Sequence, residues 1–562
     1  MLCMATLTHN RMRCGITSSE KSDSIMKQLE RVAIIGSGPS GLAAIKSCLE
    51  EGLKPQAFER TDKLGGVWVY RESGDQRYPE AASSYDSLKI NTSRTFFGFT
   101  DFPCPDDWTA FVSHQKCLAY MQDYAKTFDL ERYIKFNSEV THLSPSDDYE
   151  TTGQWKLRYR SSSGVQEDVF DAVMICSGQY THANLPMYPG QEIYRGNACT
   201  GSAYRNNKEY ADKTVLVVGG GVSGGDIAID ISNVSKQTYM SSRHGFDMYA
   251  LLATNGWPSD VSYGCRYQQY LPPSLISWLR KRRDGNRFPL HEMGFRDCSS
   301  DGKLPTSVIA NDNFVNQALC GRILPKPAVK GFSEHGVSFI DDSSISDLDA
   351  VVFCTGYKME FPYLTDNSPI FSKAGLDLYK LIFPATLKHK TLACIGFFKN
   401  VSSGSPVSVQ DMQTRWTVQV WKGNCLLPPK EEMIEAVARR RKEEHALYGR
   451  DVLMIQAIGY NDALARDMGC YPSLVSLLIS DPRLALHMLF SPVVPATYRL
   501  VGPHSWEGAR DVILNSWNTA FLGTCSLVLN KERSTLPLCT PKIYIVLLTL
   551  MILFLSYGLA QG

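Results

Sequence analysis

The sequence predicts an α/β protein in which two parallel sheets are followed by a helical region and an apolar tail. Three observations carry this prediction. A glycine-rich turn joins an apolar strand to a helix near residue 36, and a second copy of the pattern begins at residue 219. Near the end of the chain, residues 543–559 contain no charged side chain. Strands that alternate with helices are typical of parallel sheets covered by helices.

The first unit begins with the apolar run Val32–Ile35, which contains β-branched residues and predicts a buried strand. A glycine turn follows it, and residues with helical spacing come next. In such a turn the first glycine permits the bend, the second lets a pyrophosphate approach the backbone, and the third lets the helix pack on the strand. The free N–H groups of the helix N-terminus then face the phosphates. The residues of this turn are Gly36, Ser37, Gly38, Pro39, Ser40 and Gly41.

An acidic residue ends the next predicted strand of this unit. That strand is Gln56–Phe58, and Glu59 follows it directly. An acid about 20 residues after the glycine turn holds a ribose hydroxyl group in dinucleotide-binding folds of the Rossmann type. A glycine-rich turn alone is a weak signal, but here strand, helix and acid occur together. The first unit is therefore predicted to bind a dinucleotide whose ribose 2′-hydroxyl group is free.

The second unit repeats the pattern with a different residue at its tip. Its first strand is Thr214–Val218, and its next strand, Gln237–Ser241, leads into Ser242 and Arg243 rather than an acid. A guanidinium group grips a 2′-phosphate with its planar fork, so this unit is predicted to bind NADP. The alternative for Arg243 is a solvated loop charge. The turn consists of Gly219, Gly220, Gly221, Val222, Ser223 and Gly224.

Two further apolar strands flank the second unit. Asp171–Ser177 precedes it and Ala350–Gly356 follows it, and each ends at or next to a glycine. Each is expected to return the chain to the first sheet, with the second unit inserted between them. Residues 246–345 are rich in proline, glycine and aromatic residues, which predicts irregular or short helical excursions.

The composition limits the function. The chain has 58 basic and 57 acidic residues, a net charge of +1, and so shows no sign of a nucleic-acid surface. None of its 16 cysteines forms a CxxC pair, so no zinc ribbon or local redox pair is predicted. Reduced, mostly buried thiols are expected. The N-terminal residues lack the apolar stretch of a signal peptide.

The apolar tail predicts a membrane anchor. Ile543–Leu559 is preceded by Lys531, Arg533 and Lys542. As a helix it would span about 25 Å, which suits a thin bilayer such as that of the endoplasmic reticulum. A buried core helix is a poor alternative because the segment is apolar all round. The catalytic body is expected to face the cytosol, on the side of the basic residues.

Several short motifs then resemble one family, in the order in which that family carries them. These motifs are Gly65-Gly66-Val67-Trp68, Asn91-Thr92-Ser93, Asp101-Phe102-Pro103, Phe353-Cys354-Thr355-Gly356-Tyr357 and Gln413-Thr414-Arg415-Trp416. With them, the chain resembles the flavin-containing monooxygenases of the animal, microsomal dimethylaniline monooxygenase type from about residue 30 to its C-terminus.

One motif departs from the family pattern. The family's FxGxxxHxxxY motif corresponds here to residues 194–204, in which Tyr194 replaces the Phe and Thr200 replaces the His. Gly196 and Tyr204 are kept. The loss of the imidazole puts in doubt the interdomain role that this His plays and the efficiency of coupling, but neither nucleotide site.

The resemblance implies FAD on the first unit and NADPH on the second. It further implies that the reduced flavin takes up O2 to give a C4a-hydroperoxide, which oxygenates soft nucleophilic N or S atoms of small molecules. Asn91 is expected to hydrogen-bond near the flavin and the bound NADP, with a turn asparagine as the alternative. Other residues expected at the cofactors are Glu59, Gly65, Gly66, Val67, Trp68, Thr92 and Gln413.

Three alternatives accompany this prediction. A flavin disulfide reductase also has two dinucleotide folds, but it needs a cysteine pair that the sequence lacks. A Baeyer–Villiger oxygenase of ketones shares fold and cofactors, and only its products distinguish it. A poorly coupled NADPH oxidase that releases hydrogen peroxide is the third, because of Thr200. Substrate identity and oligomeric state stay open, a homo-oligomer included.

The predicted division of the chain has six segments. They are an N-terminal extension (1–29), the first part of an FAD-binding domain (30–186), an inserted NADP-binding domain (187–349), the second part of the FAD-binding domain (350–460), a C-terminal helical region (461–541) and a transmembrane tail (542–562).

Overall fold

Two parallel five-stranded sheets form the centre of the structure, a computed structural model that describes residues 29–72, 78, 80–272, 275, 287–295, 307–364, 370–372, 375–521 and 523. The strands of these two sheets are β1 (Arg31–Ile35), β2 (Lys54–Phe58), β3 (Ile134–Lys135), β4 (Ala172–Ile175), β5 (Asn197–Thr200), β6 (Thr214–Val218), β7 (Gln237–Ser241), β8 (Ile323–Lys326), β9 (Ala350–Phe353) and β10 (Leu392–Cys394).

Helices cover the sheets and form most of the C-terminal third. They are α1 (Pro39–Glu50), α2 (His114–Thr127), α3 (Tyr149–Thr152), α4 (Val222–Ser232), α5 (Ser259–Tyr263), α6 (Asn313–Leu319), α7 (Pro406–Trp421), α8 (Lys430–Tyr448), α9 (Ala457–Asp467), α10 (Leu474–Ser480), α11 (Pro482–Phe490), α12 (Ala509–Leu514) and α13 (Ser516–Thr519). Single 3₁₀ turns occur at Gly66–Trp68, Glu131–Tyr133, Gln191–Ile193 and Lys208–Tyr210, and longer ones at Arg266–Tyr270 and Pro495–Arg499.

Smaller sheets complete the strands. Two are antiparallel and three-stranded: Glu139–Pro145, Trp155–Ser161 and Gly164–Phe170 form one, and Val329–Ser333, Gly336–Phe339 and Ser344–Ile345 the other. Five two-stranded pairs are His182–Ala183 with Tyr357–Lys358, Asp247–Met248 with Val308–Ile309, Phe371–Ser372 with Gly375–Leu376, Leu378–Tyr379 with Phe383–Pro384, and Asn400–Ser402 with Met454–Gln456.

The first sheet has the strand order β10-β4-β1-β2-β3 and is parallel throughout. Its central strand β1 is buried from Val32 to Ile35, as expected for a strand covered on both faces. Helix α1 packs against this sheet with nine buried residues. The predicted strand–turn–helix unit is confirmed, and so is the return of the chain through β4, which pairs with β1.

The second sheet repeats this arrangement, with the order β8-β7-β6-β9-β5 and parallel pairing throughout. The predicted strand Gln237–Ser241 is found with those bounds. The expectation that Ala350–Gly356 returns the chain to the first sheet is wrong. Its strand β9 pairs with β6 and β5 in the second sheet. The chain returns to the first sheet at β10, which pairs with β4.

A shared pattern explains this error. In both sheets the strand beside the central one is a short apolar run that ends at a cysteine and a nearby glycine: Cys176 and Gly178 in the first sheet, Cys354 and Gly356 in the second. The two strands have the same role, so the residues alone do not tell one sheet from the other. Because the strands of the second sheet lie between β4 and β10 in the sequence, the second unit is inserted in the first.

The two ends of the chain lie outside the described residues. This applies to the first 28 residues and to the predicted tail anchor at 542–562. Within the described part of the chain, no helix combines the length and the apolar character that a membrane crossing requires. The division of the chain into six segments stays a prediction, apart from the corrected strand Ala350–Phe353.

Candidate functional site

Both glycine turns open onto one cleft between the two sheets. The cleft encloses about 1820 Å³ and is lined by residues of both turns, of the Asn91 loop and of the segments that follow β4, β9 and β10. A site for one small ligand usually measures roughly 300–1,000 Å³. The volume therefore accommodates two ligands of dinucleotide size side by side.

The first turn has the geometry that the sequence predicts. Gly36 adopts a φ of 102°, and a Cβ on Gly41 would lie 2.0 Å from the carbonyl oxygen of Gly36. Helix α1 begins at Pro39, and no side chain caps its N-terminus. Gly38 and Pro39 line the cleft. The N–H groups of Ser40 and Gly41 have no side-chain acceptor, and this end of α1 lies at the cleft, which suits an anion.

Glu59 closes the first unit at the end of β2. It is 8% exposed and lines the cleft. Its Oε2 accepts hydrogen bonds from the N–H and the hydroxyl of Ser37, both at 3.0 Å. Its Oε1 accepts from the N–H and the hydroxyl of Thr61, at 3.0 and 2.9 Å. The carboxylate is therefore fixed in orientation, and Ser37 lies behind it rather than in the cleft wall.

The next glycine pair brings a tryptophan to the cleft. Gly65 and Gly66 have φ values of 117° and 59°, and a Cβ on Gly66 would lie 3.0 Å from Cα of Gly38. The two glycine segments therefore touch through their backbones. Val67 and Trp68 follow in a 3₁₀ turn and line the cleft. Gly65 itself is buried behind them.

The second turn reproduces the first in its backbone. Gly219 has a φ of 124°, and a Cβ on Gly224 would lie 2.0 Å from the carbonyl oxygen of Gly219. Helix α4 begins after Gly221 without a side-chain cap, and a Cβ on Gly221 would meet no atom within 4 Å. Ser223 is exposed and lines the cleft. This backbone is open to a ligand, as a close approach of a pyrophosphate requires.

The tip of the second unit carries a positive charge. Arg243 follows β7, is exposed and lines the cleft, while the hydroxyl of the neighbouring Ser242 donates to Gly245 O at 3.1 Å. Burial, and after it the cation of Arg243, lowers the pKa of Arg450. Arg450 lines the same cleft from the segment after α8. Two guanidinium groups from different parts of the chain thus face this end of the cleft.

Asn91 lies in the cleft wall between the two units. It is exposed, and its side chain makes no hydrogen bond within the described part of the chain. The half-buried Thr92 lines the cleft beside it. An amide whose donor and acceptor are both free is suited to bind a polar ligand.

Gln413 lies behind the cleft wall instead of in it. Its side chain is 0% exposed; its Oε1 accepts from the N–H of Gly396 and its Nε2 donates to the hydroxyl of Tyr460, both at 2.9 Å. The side chain of Gln413, for which a contact with a cofactor is predicted, therefore does not line the cleft. Gln413 supports Gly396, and Gln410, one helical turn earlier, lines the cleft.

Thr200 ends strand β5 at the cleft. It is half-buried, and its hydroxyl lies 2.6 Å from that of Ser202. The departure from the family motif thus lies in the wall of the site itself, on the side of the second unit.

Among the acids that line the cleft, Asp226 and Asp260 were not identified as site residues from the sequence. Asp226 lies in α4, where burial raises the pKa of its carboxyl to about 6 against hydrogen bonds donated by Asn311 (2.9 Å) and Tyr85 (3.3 Å). Asp260 lies in α5 beside the Asn91 loop and is 9% exposed. The only signal for Asp226 is its position two residues after the third glycine. Among the described residues, no group of three or more His, Cys, Asp or Glu side chains is arranged to hold a metal ion.

The residues present fit two dinucleotides. Two helices begin at the same cleft with uncapped N–H groups, and Gly38 and Gly221 leave their backbones open where a Cβ would meet only the backbone of Gly66 at 3.4 Å or nothing. One strand end offers a carboxylate and the other a guanidinium group. This combination suits a dinucleotide with a free ribose 2′-hydroxyl and a second one with a 2′-phosphate.

Comparison with known proteins agrees with this geometry. The model of the flavin-binding monooxygenase-like family matches residues 29–558. Flavin-containing monooxygenase 5 of Homo sapiens is 37% identical over 496 residues, which cover 87% of this chain and 92% of the relative. Dimethylaniline monooxygenase [N-oxide-forming] 2 of Rattus norvegicus is 37% identical over 495 residues, covering 86% and 91%.

A solved structure has a similar fold. The S-allyl-L-cysteine S-oxygenase from Allium sativum superposes with a TM-score of 0.59 at 23% identity, covering 88% of this chain and 99% of that one. At this identity the similarity concerns the fold.

Proposed function

The chain belongs to the flavin-binding monooxygenase-like family and is a flavin monooxygenase that uses FAD, NADPH and O2, and on that premise we propose that it oxygenates soft nucleophilic N or S atoms of small molecules. FAD supplies the chemistry when it is bound, because it accepts hydride from NADPH and activates O2. The protein supplies binding, orientation and the exclusion of water. No side-chain nucleophile and no metal ion is part of this proposal.

The two cofactors are assigned to the two units. On the first unit the N-terminus of α1 would hold the FAD pyrophosphate and Glu59 a ribose hydroxyl, with Gly66, Val67 and Trp68 beside the cofactor. On the second, the N-terminus of α4 would hold the NADPH pyrophosphate, and Ser242 and Arg243 its 2′-phosphate. Asn91 would hydrogen-bond where the two cofactors meet.

One observation carries the proposal: both turns open onto the same cleft, with the unbonded amide of Asn91 between them. The name of the N-oxide-forming relative from Rattus norvegicus supports amine oxygenation. The test is a single reaction on a tertiary amine, a thioether or a cyclic ketone, in which product, hydrogen peroxide and consumed NADPH are measured together. We expect product from the amine and the thioether in proportion to NADPH.

Two other outcomes decide against the proposal. Ester formation from the ketone, with neither N- nor S-oxide, would make the protein a Baeyer–Villiger oxygenase. Peroxide equal to the NADPH consumed, with every substrate, would make it an oxidase. The second outcome has a specific observation in its favour, because Thr200 lines the cleft where the family has a histidine.

Asn91 is the residue that we propose for the oxygenating step. Asn91→Ala should keep FAD bound and NADPH oxidation running, while product falls and peroxide rises, because the amide is exposed to the cleft and bonds nothing else in the described chain. If the variant keeps the wild-type ratio of product to NADPH, Asn91 is only a turn residue.

We also propose that residues 542–562 anchor the protein in the membrane of the endoplasmic reticulum, with the catalytic body in the cytosol. Deletion of this segment should release the protein from carbonate-washed membranes and leave its FAD content unchanged. A longer deletion, which starts at residue 515, serves for comparison. It also removes Thr519, whose carbonyl oxygen accepts from Arg94 Nη1 in the Asn91 loop at 2.8 Å. The longer deletion should therefore raise the peroxide yield, whereas the shorter one should not. If the shorter variant still pellets with the membranes, another segment holds it there.

A further inference from the structure

The loop that carries Asn91 is fixed at both ends by backbone hydrogen bonds. The N–H of Ile90 donates to Val112 O, and the N–H of Arg94 donates to Ala110 O, both at 2.9 Å. These bonds determine where the loop leaves and rejoins the wall of the first unit. They leave residues 91–93, which lie between them, to be held in another way.

The tip of the loop is held by Asp260, a residue of the other half of the cleft. Oδ2 of Asp260 accepts a hydrogen bond from the N–H of Ser93 at 2.6 Å, and its Oδ1 accepts from the N–H of Val261 at 2.8 Å. Ser93 is 0% exposed and Asp260 lines the cleft. This bond therefore ties the N–H of Ser93, two residues after Asn91, to the second unit, while the carbonyl oxygen of Ser93 accepts from the N–H groups of Phe96 and Phe97 at 3.0 Å.

The helix that carries Asp260 lies directly against the loop. A Cβ on Gly264, at the end of α5, would lie 2.3 Å from the ring of Phe96. The N–H of Gly264 donates to the carbonyl oxygen of Asp260 at 2.6 Å, and the carbonyl oxygen of Gly264 accepts from the N–H of Val493 at 2.9 Å. Asp260 therefore lies in a well-packed helix that is fixed in position beside the loop.

The environment of Asp260 makes the bond to Ser93 costly to lose. Burial raises the pKa of the Asp260 carboxyl, and the hydrogen bonds from Ser93 and Val261 act against that rise. Both carboxyl oxygens of Asp260 accept hydrogen bonds from backbone N–H groups. Removal of the acceptor would also leave the N–H of Ser93 buried without a partner.

We propose that Asp260 is a positioning residue for the oxygenating step, which fixes the backbone at Ser93 and thereby the place where the Asn91 amide enters the cleft. The inference rests on the function proposed for Asn91. It adds that a residue of the second unit, Asp260, determines the position of the Asn91 amide. The inserted second unit would then contribute to the site of oxygen transfer as well as to coenzyme binding.

The first test measures the loop itself, in the full-length protein. Amide hydrogen exchange of the peptide that spans residues 90–97 is compared between wild type, Asp260→Ala and Asp260→Asn. We expect exchange to accelerate about tenfold or more in Asp260→Ala, since the buried N–H of Ser93 loses its acceptor. Asp260→Asn keeps the volume and one acceptor oxygen, so its exchange should be intermediate.

The second test measures coupling in a double-mutant cycle. Asp260→Ala should lower the ratio of product to NADPH on a thioether and raise peroxide, with FAD content and the KM for NADPH unchanged. Combined with Asn91→Ala, it should add nothing further, because both substitutions remove the same placed amide.

Asp312 supplies the matched control. Its Oδ2 accepts from the N–H groups of Leu251 and Leu252, at 2.8 and 3.1 Å, and among the described residues Asp312 forms no hydrogen bond with residues 90–97. Asp312→Ala should change neither loop exchange nor coupling, and an equal loss of coupling in this variant would overturn the proposal.

The results also separate this inference from the function on which it rests. Wild-type exchange in both Asp260 variants overturns the positioning role even if Asn91→Ala uncouples the enzyme. Conversely, if Asn91→Ala couples normally while Asp260→Ala loosens the loop, the role of Asn91 fails and the structural contact stands.

Discussion

The two glycine turns are nearly the same in backbone and differ in the side chains that close them. Gly36 and Gly219 bend the chain in the same way, and a Cβ on Gly41 or Gly224 would meet the equivalent carbonyl oxygen at the same 2.0 Å. The second residue of each turn is different. Ser37 donates to Glu59, whereas Gly220 has no side chain, and a Cβ there would lie 2.6 Å from the ring of Phe246.

This difference separates two tasks. On the proposed assignment, the backbone and the uncapped helix would bind the pyrophosphate in both units, and the residue at the end of the second strand would select the ribose. In the first unit that residue is Glu59, whose carboxylate is fixed by four hydrogen bonds and buried. In the second, Arg243 is exposed to the cleft. A tightly held cofactor and a coenzyme that binds and leaves would need these two arrangements.

The helices that follow the turns are also braced differently. At the end of α1, Glu50 and Asp101 bind Arg499, with 2.9 and 3.0 Å between nitrogen and oxygen, and Lys46 binds both acids. In α4, Asp230 accepts instead from neutral donors, the hydroxyl of Tyr204 at 2.6 Å among them. The first unit is thus tied to the C-terminal region by buried charges.

The largest effect should come from filling the third glycine of each turn. Gly41→Ala and Gly224→Ala each force a Cβ to 2.0 Å from a carbonyl oxygen, which should cost roughly 4 kcal/mol or more. Gly41→Ala should lose FAD and folded protein together. Gly224→Ala should keep FAD, measured by flavin absorbance per protein, but bind NADP+ poorly.

The neighbouring Gly221→Ala controls for the fold alone, because its Cβ meets no atom of the protein within 4 Å. It should fold and keep FAD, and it should weaken NADP+ binding through the pyrophosphate. If Gly224→Ala also lost its FAD, the two units would not be separable in this way.

The next effect concerns acid, which should weaken the ion pairs that Glu50 and Asp101 form with Arg499 and Lys46. Burial alone would raise the pKa of Glu50, but Arg499 and Lys46 outweigh it and lower that pKa to about 2. A carboxyl whose pKa is lowered by folding stabilises the fold above its unfolded pKa of 4.5, and this stabilisation is lost as the pH falls from there towards 2. The shift corresponds to roughly 3 kcal/mol.

Arg499→Met tests the same brace at neutral pH. It leaves Glu50 and Asp101 with Lys46 alone, and loss of one partner of a buried ion pair should cost about 3–5 kcal/mol. FAD release, followed by fluorescence against pH, should then begin at higher pH than in wild type. An unchanged acid midpoint would show that Arg499 does not control the ionisation of Glu50.

The sequence predicts those parts of the fold that depend on local pattern. Both turns, β1, β7 and the position of Glu59 follow from residues adjacent in the chain. The sheet to which Ala350–Phe353 belongs does not, because Cys354-Thr355-Gly356 repeats the pattern of Cys176-Ser177-Gly178. The two segments occupy equivalent positions, each beside the central strand of its own sheet, and their sequences are similar for that reason.

The site shows the same limit. Asp260 and Ser93 are 167 residues apart, and a lone aspartate in an irregular segment carries no signal of that contact. Gln413 was placed by its motif, yet whether a residue of α7 faces the cleft or supports Gly396 from behind depends on the rotation of the helix. Such contacts are set by packing between elements, which short motifs do not encode.

A smaller effect is expected on the preference for NADPH over NADH. Arg243→Ala should raise the KM for NADPH about 10- to 100-fold and leave that for NADH little changed, since a charge-assisted hydrogen bond to phosphate is worth roughly 1.5–3 kcal/mol. Arg322→Ala is the matched control, because Arg322 is an exposed arginine directly before strand β8 of the same sheet and outside the cleft. Equal losses for NADPH and NADH would mean that Arg243 is a solvated loop charge.

The smallest effect is expected at Thr200, which has an equivalent position in the other sheet. Thr200 pairs with Phe353 and Cys394 pairs with Ile175, so each lies beside the last residue of a matching strand. Cys394 is 0% exposed, whereas Thr200 lines the cleft. The same new side chain should therefore be tolerated at one position and disrupt the core at the other.

Thr200→His should fold normally, because an imidazole can extend into the cleft, and it should raise the ratio of product to NADPH by about twofold, which is well under 1 kcal/mol. Cys394→His should lose folded protein, since a polar ring would be buried without a partner. The measurement is product, peroxide and NADPH in one reaction on a thioether. A fall in the ratio would instead show that the hydroxyl pair of Thr200 and Ser202 is a working part of this site, because its 2.6 Å contact is what the substitution removes.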